Sequence, residues 1–196
     1  MRQKFQSVAQ AGVVEEVEKV LKGFDGIVII DEAYADFTRL QTFRERISEF
    51  PNIIVLNTFS KAWASAAIRL GVVYAQEAII NIFNKVSSPY HISQLTQAQG
   101  LDALKHRYDI EDWIKIILLE RKRMILAFES LACCEKVYPS NANFFLAKMK
   151  DAQSVYDYLC EKGIHVRNCS NVSLCGNCLR ITIGSKAENA EILGIL

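Results

Sequence analysis

Asn52 to Ala75 reads NIIVLNTFSKAWASAAIRLGVVYA. Two apolar runs, NIIVLN and GVVYA, are separated by a loop that carries Ser60, Lys61 and Arg69. An upstream run, GIVII from Gly26, ends in Asp31 and Glu32. Short runs that are apolar on consecutive positions predict strands buried on both faces, as in a parallel sheet. Ligands of open α/β sheets bind beyond the carboxyl ends of such strands. Asp31-Glu32-Ala33-Tyr34 and Thr58-Phe59-Ser60-Lys61 occupy those positions.

Helical spacing surrounds these strands. Gly12 to Lys22 carries apolar residues at 13, 14, 17, 20 and 21, and Gly23 is expected to end that helix. Thr38–Phe50, Glu77–Lys85 and Ser93–Leu104 read as helices, and Tyr108–Cys133 is the longest helical pattern. Beyond Pro139 the character changes. Asn143–Met149, Ile164–Arg167 and Leu179–Ile183 read as strands, Ser154–Lys162 as a helix, and a last helix begins at Lys186. The alternation predicts an α/β fold in which a mostly parallel sheet with flanking helices occupies residues 1–107. A bridging helix and a small α+β domain follow over residues 108–196.

The chain has 196 residues, enough for one domain or two small ones. Hydrophobic residues at 51% and charged residues at 23% exclude a disordered chain. The net charge of +1 gives no field to recruit a polyanion, which argues against nucleic-acid or membrane-surface binding. No apolar run approaches the roughly 18 residues of a membrane span. Met1 to Gln10 lacks the apolar stretch of a signal peptide, so a cytoplasmic location with reduced cysteines is expected.

Four apolar residues followed by Asp-Glu also describe a Walker B strand. That reading needs a G-x-x-x-x-G-K-[ST] loop, and the glycines never take that spacing.

Read together, DEAYADF and NTFSKAWASAAIRLGVVYA resemble the cofactor-binding segments of the fold-type I pyridoxal-phosphate aminotransferases. The likeness is nearest to the histidinol-phosphate aminotransferases. VSSPYHI, VYPSNANFFL, GIHVR and CLRITIG extend it over nearly the whole chain from about Gly12. The resemblance implies pyridoxal 5'-phosphate as cofactor. It makes Lys61 the covalent anchor and, once substrate displaces it, the carrier of the proton between substrate and cofactor carbons. Asp31 matches the acid facing the pyridine nitrogen. Opposite charges about 3 Å apart attract by roughly 5 kcal/mol at an effective dielectric near 20, before desolvation, which keeps the ring protonated and electron-accepting. Tyr34 matches the tyrosine that bonds the phenolic oxygen. Thr58, Ser60 and Arg69 match the phosphate cup. Arg180 matches the arginine that holds the substrate's anionic group, and Arg167 would assist.

The resemblance further implies small-molecule substrates, a phosphorylated amino alcohol or amino acid and a 2-oxo acid such as 2-oxoglutarate, and a homodimer. Members of the family are nearly twice this length. The phosphate-binding glycine loop, the ring-stacking aromatic and the N-P-x-x-P-T-G segment have no match here, so the chain is expected to be an incomplete version of the enzyme. His91 stands where the family often has asparagine. Three other readings stay open: a threonine-phosphate decarboxylase-like enzyme, a non-catalytic remnant of the fold, and a zinc module on Cys169, Cys175 and Cys178 with His165 nearby.

Overall fold

A computed structural model describes residues 5–6 and 13–196. The expected helix start at Gly12, and the readings on Met1 to Gln10 other than Phe5–Gln6, lie outside the described residues. The chain divides into two compact units, Met1–Glu111 and Asp112–Leu196, and each is described by itself.

In the first unit a four-stranded sheet runs in the order β1 (Phe5–Gln6), β2 (Val28–Asp31), β3 (Ile53–Thr58), β4 (Gly71–Ala75). β1, β2 and β3 are parallel and β4 is antiparallel to β3. Helix α1 (Val13–Gly23) supplies Val17 and Leu21 to a core shared with Val28, Ile30, Phe43, Phe50, Ile53 and Val55. Burying one such side chain contributes about 1.5–3 kcal/mol, so this cluster fixes the register of β2 on β3. Helices α2 (Glu77–Val86) and α3 (Gln94–Lys105) follow β4. The Ser93 side chain caps α3 by accepting from the Thr96 N–H at 3.1 Å.

Three expectations for this unit change. β4 is not buried on both faces: Gly71 and Val73 are exposed and Val72, Tyr74 and Ala75 only half-buried. β2 is buried on one face only: Val28 and Ile30 are covered, whereas Ile29 is 46% exposed. On the same face Ile54 of β3, the register partner of Ile29, is buried. Thr38–Phe50 is not a helix. It holds one short 3₁₀ turn, Phe43–Arg46, and another, Ala35–Phe37, lies just before it. The Glu32 carboxylate accepts the Phe43 N–H at 2.7 Å, and the Arg46 guanidinium lies 5.6 and 5.2 Å from the Phe43 and Phe50 rings. These tertiary contacts set the segment's path in place of a continuous i→i+4 ladder.

Helix α4 (Arg107–Glu129) contains the boundary between the units. In the second unit an antiparallel sheet has the order β5 (Cys134–Val137), β6 (Phe144–Met149), β8 (Cys178–Thr182), β7 (Arg167–Asn168). Its core joins Met124 and Phe128 of α4 to Phe145, Ala147, Met149, Leu179 and Ile181, with the Phe128 and Phe145 rings edge-on at 5.1 Å. Helix α5 (Ala152–Glu161) is capped by Asp151, and α6 (Lys186–Ile195) by a Ser185–Glu188 capping box. The expected helix to Cys133 ends earlier, at Glu129, and is followed by β5, which the sequence reading missed. The strand expected over Ile164–Arg167 is the two-residue β7.

Candidate active site

β2 and β3 pair in parallel with Asp31 opposite Leu56, so their carboxyl ends lie side by side. The Asp31 Oδ1 atom accepts the Ala33 N–H at 3.1 Å, which turns the chain directly after the strand. Glu32, only 4% exposed, points the other way and holds Phe43 as described. Burial pushes its carboxyl above the usual carboxylate range, partly offset by the Phe43 N–H. Tyr34 stands just before the 3₁₀ turn Ala35–Phe37. The Lys61 ammonium lies 5.5 Å from the centre of the Tyr34 ring, so the loops after β2 and β3 converge on each other.

The loop after β3 is stitched to its return strand. Thr58 pairs with Gly71, and the Phe59 N–H donates to the Leu70 carbonyl at 3.1 Å. The Thr58 Oγ1 atom accepts the Ser60 N–H at 3.1 Å and lies 3.0 Å from Ser60 Oγ and 3.3 Å from the Leu70 carbonyl. A hydroxyl has one proton. When Thr58 donates to Ser60, the Ser60 proton is left for an acceptor outside the loop. Arg69 sits in the left-handed region at φ 54°, following the 3₁₀ turn Ala66–Ile68. Its guanidinium gives one N–H to the Ala66 carbonyl at 3.1 Å and keeps the rest of its donor fork for an anion. Helix α3 steadies this stretch. The Thr96 hydroxyl donates to the Ile68 carbonyl at 3.2 Å, and Gly100 is close enough that a Cβ there would come within 2.8 Å of Leu70.

Sequence reasoning passed over two buried groups in this region. Asn57, on β3, leaves its Nδ2 without a hydrogen-bond partner among the described residues, while its Oδ1 accepts the Thr58 N–H at 2.6 Å. Glu32 was read only as the companion of Asp31. An acid ending an apolar strand is ordinarily solvated, and no signal in the sequence marks this one as buried.

In the second unit Arg167 and Arg180 are directly opposite each other on β7 and β8. Like charges in that position repel, which favours an anion between them. The Arg180 guanidinium lies 4.6 Å from the Phe144 ring centre, and its Nε is buried without a partner among the described residues. Six of the eight predicted site residues thus stand at the β2 and β3 ends of the first unit, and the two arginines pair in the second. His91 is exposed, with its Nδ1 2.9 Å from the Ser88 carbonyl.

The zinc reading gains no support from the structure. Among the described residues no group of three or more His, Cys, Asp or Glu side chains is arranged to hold a metal ion. Cys169 and Cys178 are buried. No helix among the described residues is long and apolar enough to cross a membrane.

Comparison with known proteins supplies the family. The model of the aminotransferase class I and II family matches residues 8–196. The chain is 49% identical over 181 residues to the histidinol-phosphate aminotransferase of Bacteroides thetaiotaomicron, covering 92% of this chain and 52% of that protein. The solved histidinol-phosphate aminotransferase of Clostridium acetobutylicum superposes with a TM-score of 0.85 at 24% identity, over 95% of this chain and 58% of the other. The Sinorhizobium meliloti enzyme of the same name, solved in complex with pyridoxal-5'-phosphate, gives a TM-score of 0.72 at 23% identity, over 86% and 47%. The chain spans about half the length of the curated relatives it matches. With a sheet, a lysine loop and a family match over residues 8–196 all in agreement, the chain belongs to the class I and II aminotransferases.

Proposed function

We propose that the chain forms the carboxyl-terminal part of a pyridoxal-phosphate-dependent transaminase that moves the amino group of histidinol phosphate to 2-oxoglutarate. The convergence of the Lys61 ammonium on the Tyr34 ring at 5.5 Å carries this reading. It brings an amine and a phenol together beyond adjacent strand ends, one of which bears Asp31. The relative at 49% identity bears the name histidinol-phosphate aminotransferase, which supports the substrate.

The donor set fits the cofactor. Its phosphate dianion needs several donors, and the Ser60 hydroxyl, the Thr58–Ser60 pair and the Arg69 fork supply them within one loop. Asn57 Nδ2 is a further buried donor on the strand that leads into this loop. When bound, pyridoxal phosphate supplies the electron sink for the substrate's developing carbanion. The protein's part is then fivefold. Lys61 holds the cofactor and moves the proton at the substrate carbon. Asp31 keeps the ring nitrogen protonated. The Tyr34 hydroxyl donates to the phenolic oxygen, and Thr58, Ser60 and Arg69 orient the phosphate. Arg180 and Arg167 receive the substrate phosphate, for which the unpartnered Arg180 Nε is a ready donor.

On this reading residues 1–107 belong to the cofactor-binding domain, and residues 108–196 form the bridging helix and the small domain. A cytoplasmic homodimer follows from the family likeness, and six free cysteines suit a reducing compartment. The test is spectroscopic. The full chain mixed with pyridoxal phosphate should develop an absorbance band near about 420 nm, the cofactor's own signature when bound through an amine. Lys61→Ala should lack the band while keeping its far-UV circular dichroism. A wild-type chain with no band would overturn the proposal.

A further inference from the structure

The segment that joins β7 to β8 brings three thiols together by backbone geometry alone. The Cys169 N–H donates to the Cys178 carbonyl at 2.8 Å, which continues the β7–β8 ladder by one pair and sets these residues opposite each other. The Val172 N–H donates to the Cys169 carbonyl, the Cys175 N–H to the Val172 carbonyl, and the Cys178 N–H to the Cys175 carbonyl at 3.0 Å. The last bond closes a turn over residues 175–178, whose third residue, Asn177, has φ 57°. The first and last Cα atoms of such a turn lie within about 7 Å. A disulfide needs a Cα separation of about 4.4–6.8 Å.

The two ends of this turn differ in access. Cys175 is half-buried, whereas Cys178 is 1% exposed and donates its S–H weakly to the Gly176 carbonyl at 3.6 Å. Burial, with Cys175 and Cys169 close by, holds the Cys178 thiol protonated above its ordinary range. An oxidant therefore meets Cys175 first, and Cys178 waits within reach as the second sulfur.

We propose that Cys175 and Cys178 form a modification site: a dithiol that takes up an intramolecular disulfide by exchange with a low-molecular-weight disulfide of the glutathione type. The Cys175 thiolate attacks one sulfur of oxidised glutathione, breaking its S–S bond and releasing one glutathione thiolate. Cys178 then gives its proton to solvent and attacks the Cys175 sulfur of the mixed disulfide, and the second glutathione leaves. Two protein thiols are oxidised, and one external disulfide is reduced to two thiols. The site needs neither cofactor nor metal. Residues two apart on a strand share a face, so Cys169 and Cys178 lie on the same side of the sheet as Arg167 and Arg180. Oxidation would stiffen the turn two residues before Arg180.

The test uses the full chain incubated with excess oxidised glutathione, digested with trypsin without reduction and read by tandem mass spectrometry. Residues 168–180 fall in one peptide with three cysteines. The expected result is loss of two hydrogens from that peptide, with fragments between residues 170 and 174 showing Cys169 as a free thiol. Cys178→Ser should instead trap glutathione on Cys175, and Cys175→Ser should form neither product. A peptide that keeps all three thiols, or a bond from Cys169 to Cys178, overturns the assignment.

Discussion

Asn189→Ala removes the side chain that ties α6 to α4 inside the second unit. Asn189 is 2% exposed, and its amide does three things. Nδ2 donates to Glu120 Oε2 at 2.9 Å and to the Gly184 carbonyl at 3.0 Å, while Oδ1 accepts the Gly184 N–H at 3.0 Å. Glu120 is itself buried, paired with Arg123 at 2.7 Å. One hydrogen bond to a charged group contributes about 1.5–3 kcal/mol and each neutral one about 0.5–1.5, so the variant should lose about 2.5–6 kcal/mol. The loss carries a pH signature. Arg123 first, and Asn189 second, hold the Glu120 carboxyl below its ordinary range. A carboxyl lowered on folding contributes stability that is full above its unfolded value and fades as pH falls through the folded one. The difference between wild type and variant should therefore be largest near neutral pH and shrink in acid. Urea unfolding across a pH series, followed by circular dichroism, measures both. A loss under about 1 kcal/mol, or one that is the same at every pH, would refute the argument.

Three further outcomes are expected. Glu32→Gln keeps an acceptor for the Phe43 N–H and removes the buried charge. Since the Glu32 carboxyl is raised on folding, wild-type stability should fall as pH rises from the ordinary carboxylate value through the folded one. The variant's urea midpoint should lack that fall; an unchanged pH slope would show that Glu32 is not the cause. Phe145→Ala deletes a fully buried ring packed on Phe128 and should cost about 3–5 kcal/mol of unfolding free energy by urea titration; a loss below about 1 kcal/mol would contradict the core assignment. Arg69→Ala should weaken pyridoxal phosphate binding by roughly tenfold or more in a fluorescence titration, the worth of one charge-assisted hydrogen bond, and an unchanged affinity would remove Arg69 from the phosphate cup.

Much of the fold was legible because local and tertiary signals agreed. The runs before Asp31 and Thr58 are strands in the structure as in the sequence, since consecutive β-branched and apolar residues suit a sheet interior. The helix starts read at Ser93 and Lys186 agree with the structure, where the Ser93 and Ser185 side chains cap them. Thr38–Phe50 misled because its apolar spacing is real, but a buried carboxylate eleven residues upstream takes the Phe43 N–H. β5 escaped notice because only Val137 of its four side chains is buried, leaving no periodic pattern. The candidate site was legible as residue types in loops at strand ends. Its second tier was not: Glu32, Asn57 and the clasp from α3 to Ile68 depend on burial and on contacts distant in sequence.

The central claim concerns one amine. The full chain, loaded with pyridoxal phosphate, reduced with borohydride and digested, should carry the pyridoxyl label on the peptide containing Lys61 and on no other lysine in comparable yield. A label spread over surface lysines, or concentrated on one elsewhere in the chain, would contradict the account.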